Sequence, residues 1–373
     1  MRYGEKEFLY CVVAELSFFD RVAVNHSSLS SLKPYVLIFM CALLAACQKP
    51  EPVSFQEPAQ IEASSTQTLD LTDLCQKIDK NMSEINAQRT TFALEQINQD
   101  LKLCLPLLGF QQQKHLLGLS NKMYHDFLSV ERTPQQQRAF ESYTLEMAQH
   151  PTIQQSLFEQ LTIRDQYLIK HQGQSYVELF DAGEGQVHYR RSPEYLAKIF
   201  APYLPVAEQE FIEHLATQNQ YPAVIGSQVK IDAKEIADRA LYWESYLQQY
   251  PKSSYHQDAR HLLNLYCTLL FIGLDTQRVY DGYTVQSNYL EEIKRLAELK
   301  NSIVTDQARL FLKFVALSPE QRAAQIILPA STHAQRLGAD QLLQRQLAHF
   351  IQLRMVQPDQ GKDCLSDAIC LER

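Results

Sequence analysis

From Asp70 onward, apolar positions recur mostly at helical spacing. Leu74, Ile78, Met82 and Ile85 form one stripe, and Phe92, Leu94, Ile97, Leu101 and Leu105 form another after the polar break Gln88-Arg89-Thr90. Residues three or four apart share a helix face, so the pattern predicts two short helices folded back on each other. Residues 114–130 predict a third helix, with Leu116, Met123, Tyr124, Phe127 and Leu128 on its apolar side. Thr133-Pro134 supplies an N-cap residue and a first-turn proline for a fourth, and Pro151 opens a fifth carrying Ile153, Leu157, Phe158 and Leu161. Short amphipathic segments bury their stripes by packing in pairs, which predicts stacked helical hairpins rather than long coiled coils.

The period changes over residues 174–191. Two β-prone runs, 176–180 and 186–189, flank Asp181-Ala182-Gly183-Glu184-Gly185 and predict a β-hairpin with a glycine-rich turn. A lone two-stranded ribbon is marginal in water, so it should lie on a helical surface. Helical spacing resumes after Ser192-Pro193-Glu194 with Tyr195, Leu196, Ile199, Phe200 and Tyr203, ending at Pro205. Further helical stripes run through Ile293-Leu296-Leu299, Leu310-Phe311-Phe314, the stretch after Ser318-Pro319, and Leu343-Leu347-Phe350-Ile351. The expected fold class is mainly all-α: stacked short helical hairpins or an α-solenoid-like bundle with one small β-hairpin.

The clearest local unit lies near 232–272. Asp232 and Glu235 can form a capping box, followed by Ile236, Ala240, Trp243, Leu247 and Tyr250 on one face. Pro251 stops that helix, and Ala259, Leu262, Leu263, Tyr266 and Leu270 begin a second face after Lys252-Ser253-Ser254. The segment WESYLQQYPKSSYHQDARHLL resembles the tetratricopeptide-like repeats of bacterial outer-membrane assembly lipoproteins. That resemblance implies an α-hairpin repeat architecture and a role in envelope assembly. No second copy occurs at a fixed period.

The N-terminal region has a different character. Residues 35–46 form an apolar run of about a dozen residues, short of the roughly 20 that a membrane-spanning helix needs. With Lys33 before it and small residues at its end, the run reads as the core of a signal peptide; a membrane anchor that is never cleaved, or a chance Ala-Ala-Cys, is the alternative. Leu44-Ala45-Ala46-Cys47 resembles a bacterial lipoprotein signal. The resemblance implies that Cys47 becomes the acylated first residue and that membrane lipid is its partner. Two or more acyl chains anchor stably, because each buried CH₂ contributes about 0.8 kcal/mol. Gln48 stands where an aspartate would resemble an inner-membrane retention signal, so the outer membrane, facing the periplasm, is the expected location. Residues 1–32 fit poorly before such a signal, and a translation start near Val24 would give a conventional one. Residues 48–67 are rich in Pro, Glu, Gln and Ser and read as a flexible tether spanning about 25 Å.

The expected organisation is a signal segment, 1–46; a lipidated tether, 47–69; an N-terminal helical region, 70–173; the β-hairpin, 174–191; a C-terminal helical region, 192–357; and a polar tail, 358–373. The net charge is −8, and removing residues 1–46 takes away four basic and four acidic residues, leaving it unchanged. No basic stripe stands out, so nucleic acid is not an expected partner. The tether carries Lys49, Glu51 and Glu57 rather than a basic cluster, leaving the lipid as the expected membrane contact.

Cys75, Cys104, Cys267, Cys364 and Cys370 remain for the folded body, and an oxidising periplasm allows them to pair. Cys75 and Cys104 lie equally far from the break at Arg89-Thr90, so an antiparallel hairpin would set them side by side; two buried thiols are the alternative. Cys364–Cys370 is the simplest second pair, and Cys267 falls on an apolar face as a buried thiol.

Candidate chemistry is sparse. Asp181, Glu184, His188, Arg190 and Arg191 gather within eleven residues, the one local cluster that invites an acid–base or cation-binding reading. It lacks the alternating oxygen ligands of a calcium loop, and a solvated turn is the favoured expectation. His256, His333 and His349 make no zinc-like spacing, and no nucleophile elbow, phosphate loop or dinucleotide fingerprint is present. No catalytic residue, cofactor or metal ligand is therefore assigned. The leading expectation is a non-enzymatic envelope assembly factor or interaction scaffold with an envelope protein as partner. The alternatives are an envelope hydrolase with residues 181–191 at its cleft, and a glycan- or small-ligand-binding lipoprotein.

Overall fold

The computed structural model describes residues 71–149, 154–300, 302–328, 338–358 and 361–372. The expected signal segment, Cys47 and the expected tether lie outside these residues. So does His333.

Helices α1 (Leu71–Ser83) and α2 (Thr91–Cys104) form the first hairpin, closed by a disulfide between Cys75 and Cys104 whose Cα atoms stand 5.4 Å apart. Their facing stripes, Ile78 and Met82 against Leu94, Ile97 and Leu101, are buried, and α3 (Phe110–Leu128) packs against α1. The helix after it, α4 (Pro134–Gln149), starts at the expected proline. Its Thr133 hydroxyl accepts from the Gln136 amide, while the Thr133 amide donates to the Gln136 side chain, satisfying two backbone donors at once. With α5 (Gln154–Phe158) and α6 (Ile163–Lys170), this helix encloses a second, smaller apolar cluster of Ala139, Phe140, Tyr143 and Leu161.

Strands β1 (Val177–Asp181) and β2 (Val187–Arg191) form the expected antiparallel hairpin, pairing Phe180 with His188 and Glu178 with Arg190. Because strand residues alternate sides, its two faces differ. Val177 joins the main core and Leu179 and Val187 the small cluster, while Tyr189 packs against both. Helical surface on one side thus supplies what a lone ribbon lacks.

The C-terminal half comprises α7 (Glu194–Ile199), α8 (Val206–Gln220), α9 (Ala233–Gln249), α10 (His256–Phe271), α11 (Ser287–Glu298), α12 (Ile303–Val315), α13 (Pro319–Gln325) and α14 (Ala339–Phe350). Asp232 caps α9 through the Glu235 amide at 2.8 Å, and α9 packs against α10, α11 and α12. Trp243 is fully buried here, its indole N–H donating to Gln218 at 3.1 Å. Among the described residues, three further two-stranded ribbons accompany the β1–β2 hairpin: β3 (Val224–Ile225) with β4 (Gln228–Val229), β5 (Gly273–Leu274) with β6 (Gln277–Arg278), and β7 (Lys362–Asp363) with β8 (Leu371–Glu372). The fold is mainly helical with small two-stranded sheets. Among the described residues, no helix is long and apolar enough to cross a membrane.

The polar tail is more ordered than its composition implies. Cys364 is bonded to Cys370, and Cys364, Ala368 and Ile369 are buried. Asn219 on α8 donates to the carbonyls of Cys364 and Asp367 at 2.9 and 2.6 Å, which fastens the loop to the body.

Candidate functional site

The outer face of the hairpin, the disulfide loop of the tail, β3 and the end of α3 enclose a cleft of about 660 Å³, within the size range of small-molecule and peptide sites. Three separate ribbons meet here: β1–β2 through Phe180 and His188, β3–β4 through Val224 and Ile225, and β7–β8 through Asp363 and Leu371. The tip of the hairpin fixes their spacing. Gly183 has φ +89°, and a Cβ there would come within 2.9 Å of the Gly226 amide nitrogen, so only glycine lets the two turns touch this closely. Glu184 accepts from the Ser227 hydroxyl across the same contact.

Of the five titratable residues singled out in this hairpin, three line the cleft. His188, Arg190 and Arg191 do, whereas Asp181 and Glu184 turn to other work. Asp181 accepts from the Gly183 amide at 2.8 Å and closes the turn, so the two carboxylates share no reaction centre. Both are exposed, in line with a solvated turn. The arginines are not. Their side chains carry only 11% and 4% exposure, because each spans from the ribbon to a distant element.

Arg190 donates to Glu178 at 2.5 Å and to the Ser366 carbonyl at 3.2 Å, and its guanidinium lies 3.6 Å from the centre of the Phe180 ring. Arg191 donates to Asp367 at 2.5 Å, Asn121 at 2.8 Å and Ser120 at 3.0 Å. Its Nε is buried without a partner. The Arg191–Asp367 pair is thus an interior ion pair joining hairpin to tail across 176 positions of sequence. Burial, and then the adjacent Arg190 cation, lower the His188 imidazole below its usual 6.5, against an opposing pull from Asp363. Packing desolvates part of the ring, which meets Phe180 edge to face at 5.7 Å, while the residue as a whole remains exposed. Near neutral pH it is an uncharged hydrogen-bonding group.

The remaining sequence candidates fall elsewhere. Cys267 is a buried free thiol on α10, pushed above its ordinary range by desolvation and then by Glu244, which disfavours the reactive thiolate. No group of three or more His, Cys, Asp or Glu side chains suited to a metal ion occurs among the described residues. Sequence reasoning did not find the cleft's tail wall or its β3 wall. Ile225-Gly226-Ser227-Gln228 does carry a Gly-Ser hairpin signal; nothing comparable marks the Arg191–Asp367 partnership.

No protein-family model, curated protein or solved structure matches this chain.

Proposed function

We propose that this chain is a lipid-anchored envelope protein that binds a protein partner on the periplasmic side of the outer membrane rather than transforming a substrate. Anchoring rests on Leu44-Ala45-Ala46-Cys47 and the short apolar run before it. Two disulfides in the folded body suit an oxidising compartment. The observation that carries the binding reading is the engagement of the cleft's strongest charges: Arg190 is paired with Glu178 inside the ribbon and donates to the Ser366 carbonyl, and Arg191 is paired with Asp367, so both brace the hairpin and the tail rather than confronting open space. A general acid or base must reach a substrate proton, and the hairpin carboxylates instead brace the turn and its neighbour. The packed α9–α10 pair is compatible with the tetratricopeptide-like resemblance of that segment.

Two measurements test the reading. Fatty-acid labelling in cells should mark the wild-type chain, with Cys47→Ser unlabelled and released from the membrane fraction. Crosslinking in intact envelopes, followed by purification, should recover the same protein partner reproducibly. Recovery of none, together with cell-wall hydrolysis lost in Asp181→Ala or Glu184→Ala, would replace this reading with an enzymatic one.

A further inference from the structure

We infer that the three-ribbon cleft takes an extended, uncharged peptide segment, held as an added strand with apolar side chains against Ile225, Leu365 and Leu371. This rests on the protein-binding reading and names the chemistry of the partner at that site.

Three ligand classes can be weighed against the walls. An anion would need a guanidinium free to meet it. Arg190 and Arg191 are engaged, and the one unpartnered guanidinium nitrogen, Arg191 Nε, is sealed from the surface. A sugar would need an open aromatic face. Phe180 has Arg190 over its ring at 3.6 Å and His188 against it at 5.7 Å, while Tyr124 is buried with its hydroxyl donating to the Ser175 carbonyl. An extended peptide needs neither of these. Main-chain hydrogen bonds to a sheet edge supply affinity, and pockets for alternate side chains supply selectivity.

Four consecutive residues of β2, His188 to Arg191, line the cleft, and because neighbours on a strand point to opposite faces, the strand's edge borders it. Among the described residues each of its three ribbons has only two strands, so every strand keeps one outer side without a strand partner there. Apolar side chains from β3 and from the tail, Ile225, Leu365 and Leu371, line the same space and are only partly buried. The charges are already engaged, Arg190 by Glu178, Arg191 by Asp367 and Asp363 by the Leu365 amide and the Ser366 hydroxyl, and His188 is held toward its neutral form. A charged residue entering the cleft would lose water without gaining a free counter-ion, so a neutral segment fits best.

The full chain, extracted from membranes in mild detergent, is titrated with a positional-scanning library of fluorescent, end-blocked octapeptides, and binding is read by anisotropy. Saturable binding is expected, strongest for uncharged peptides with apolar residues at alternate positions. N-methylation of alternate amides keeps the side chains but removes strand donors, and should weaken binding about tenfold or more. His188→Trp fills the exposed mouth and should weaken it similarly, while Ile163→Asp, at an 87% exposed site on α6, should not. No saturable binding, undiminished binding of the methylated peptides, or wild-type affinity in a folded His188→Trp chain would each overturn the proposal. Binding of a neutral chito-oligosaccharide in preference to every peptide would do the same. Loss of Cys47 labelling with peptide binding intact would remove only the anchor; labelling retained with no peptide bound would remove only this inference.

Discussion

Asp367→Ala puts the tail wall to a quantitative test. The substitution leaves Arg191 charged in a site where its side chain is 4% exposed, and breaking a buried pair from one side costs about 3–5 kcal/mol. The molecule can lower that cost only by letting the tail leave and water reach the guanidinium. Leaving sacrifices the two Asn219 hydrogen bonds, about 1 kcal/mol each, and the burial of Ile369, about 1.5–3 kcal/mol. The escape route therefore costs about as much as staying. Urea unfolding followed through Trp243, the one tryptophan and a fully buried one, should show a loss of about 3–5 kcal/mol. Amides of residues 362–372 should lose hydrogen-exchange protection before those of α9 and α10. Arg191→Met with Asp367→Leu removes both charges and should recover most of the loss, since an apolar replacement of a buried pair is often neutral. A loss below about 1 kcal/mol in Asp367→Ala, or a double variant no more stable than the single one, would refute the interior ion pair.

Cys75→Ser with Cys104→Ser opens a loop of separation 29 and should lower stability by roughly 3.5 kcal/mol in the chain-entropy account, measured as a lower urea midpoint. His214 is lowered to about 4 by burial and then by Arg239, so the unfolded chain takes up its proton near pH 6.5 and the folded chain only near 4. Stability should then fall as pH drops from 6.5 to 4, and His214→Phe should flatten that slope in acid titrations of unfolding. Cys267 should resist iodoacetamide at pH 8 in the native protein and react in urea, as read by peptide-resolved mass spectrometry; rapid native labelling would contradict its buried position.

The parts legible in the sequence were those that leave a local trace. Ile78 and Met82 facing Leu94 and Leu101 follow from spacing, and the Cys75–Cys104 bond follows from the geometry of one hairpin. Gly183 and Gly185 announced a turn, and Asp232 with Glu235 announced a helix start. Two-residue strands such as Val224–Ile225 are too short to show a period of two, so the added ribbons went unread. The polarity of the tail was misleading for a different reason. Asp367 and the carbonyl of Cys364 are satisfied by Arg191 and Asn219, partners 176 and 145 positions away, and no window along the chain contains both members of either pair. The same distance hides Ser366 and Asp367, the partners of Arg190 and Arg191, from a local reading of the hairpin.

The hairpin is where these long-range choices converge, and its dependence on both sides explains why the cleft has a defined shape. A two-stranded ribbon cannot hold itself in water. Here Leu179, Val187 and Tyr189 rest on the small apolar cluster, and the Tyr189 hydroxyl donates to Asp165, which Arg132 grips at 2.6 and 3.0 Å. Asp165 is fully buried, so this pairing holds one orientation of α6 against the ribbon. On the opposite face, Arg190 clamps the ribbon to the tail loop; Arg191, at the end of β2 and on the Tyr189 face, ties it to α3 and to Asp367. Loosening α4–α6 would tilt the strand that carries His188 and Arg190, and the cleft would change although none of its lining groups had been touched. The apolar cluster behind the ribbon thus sets the position of the cleft in front of it, through the two faces of a single strand.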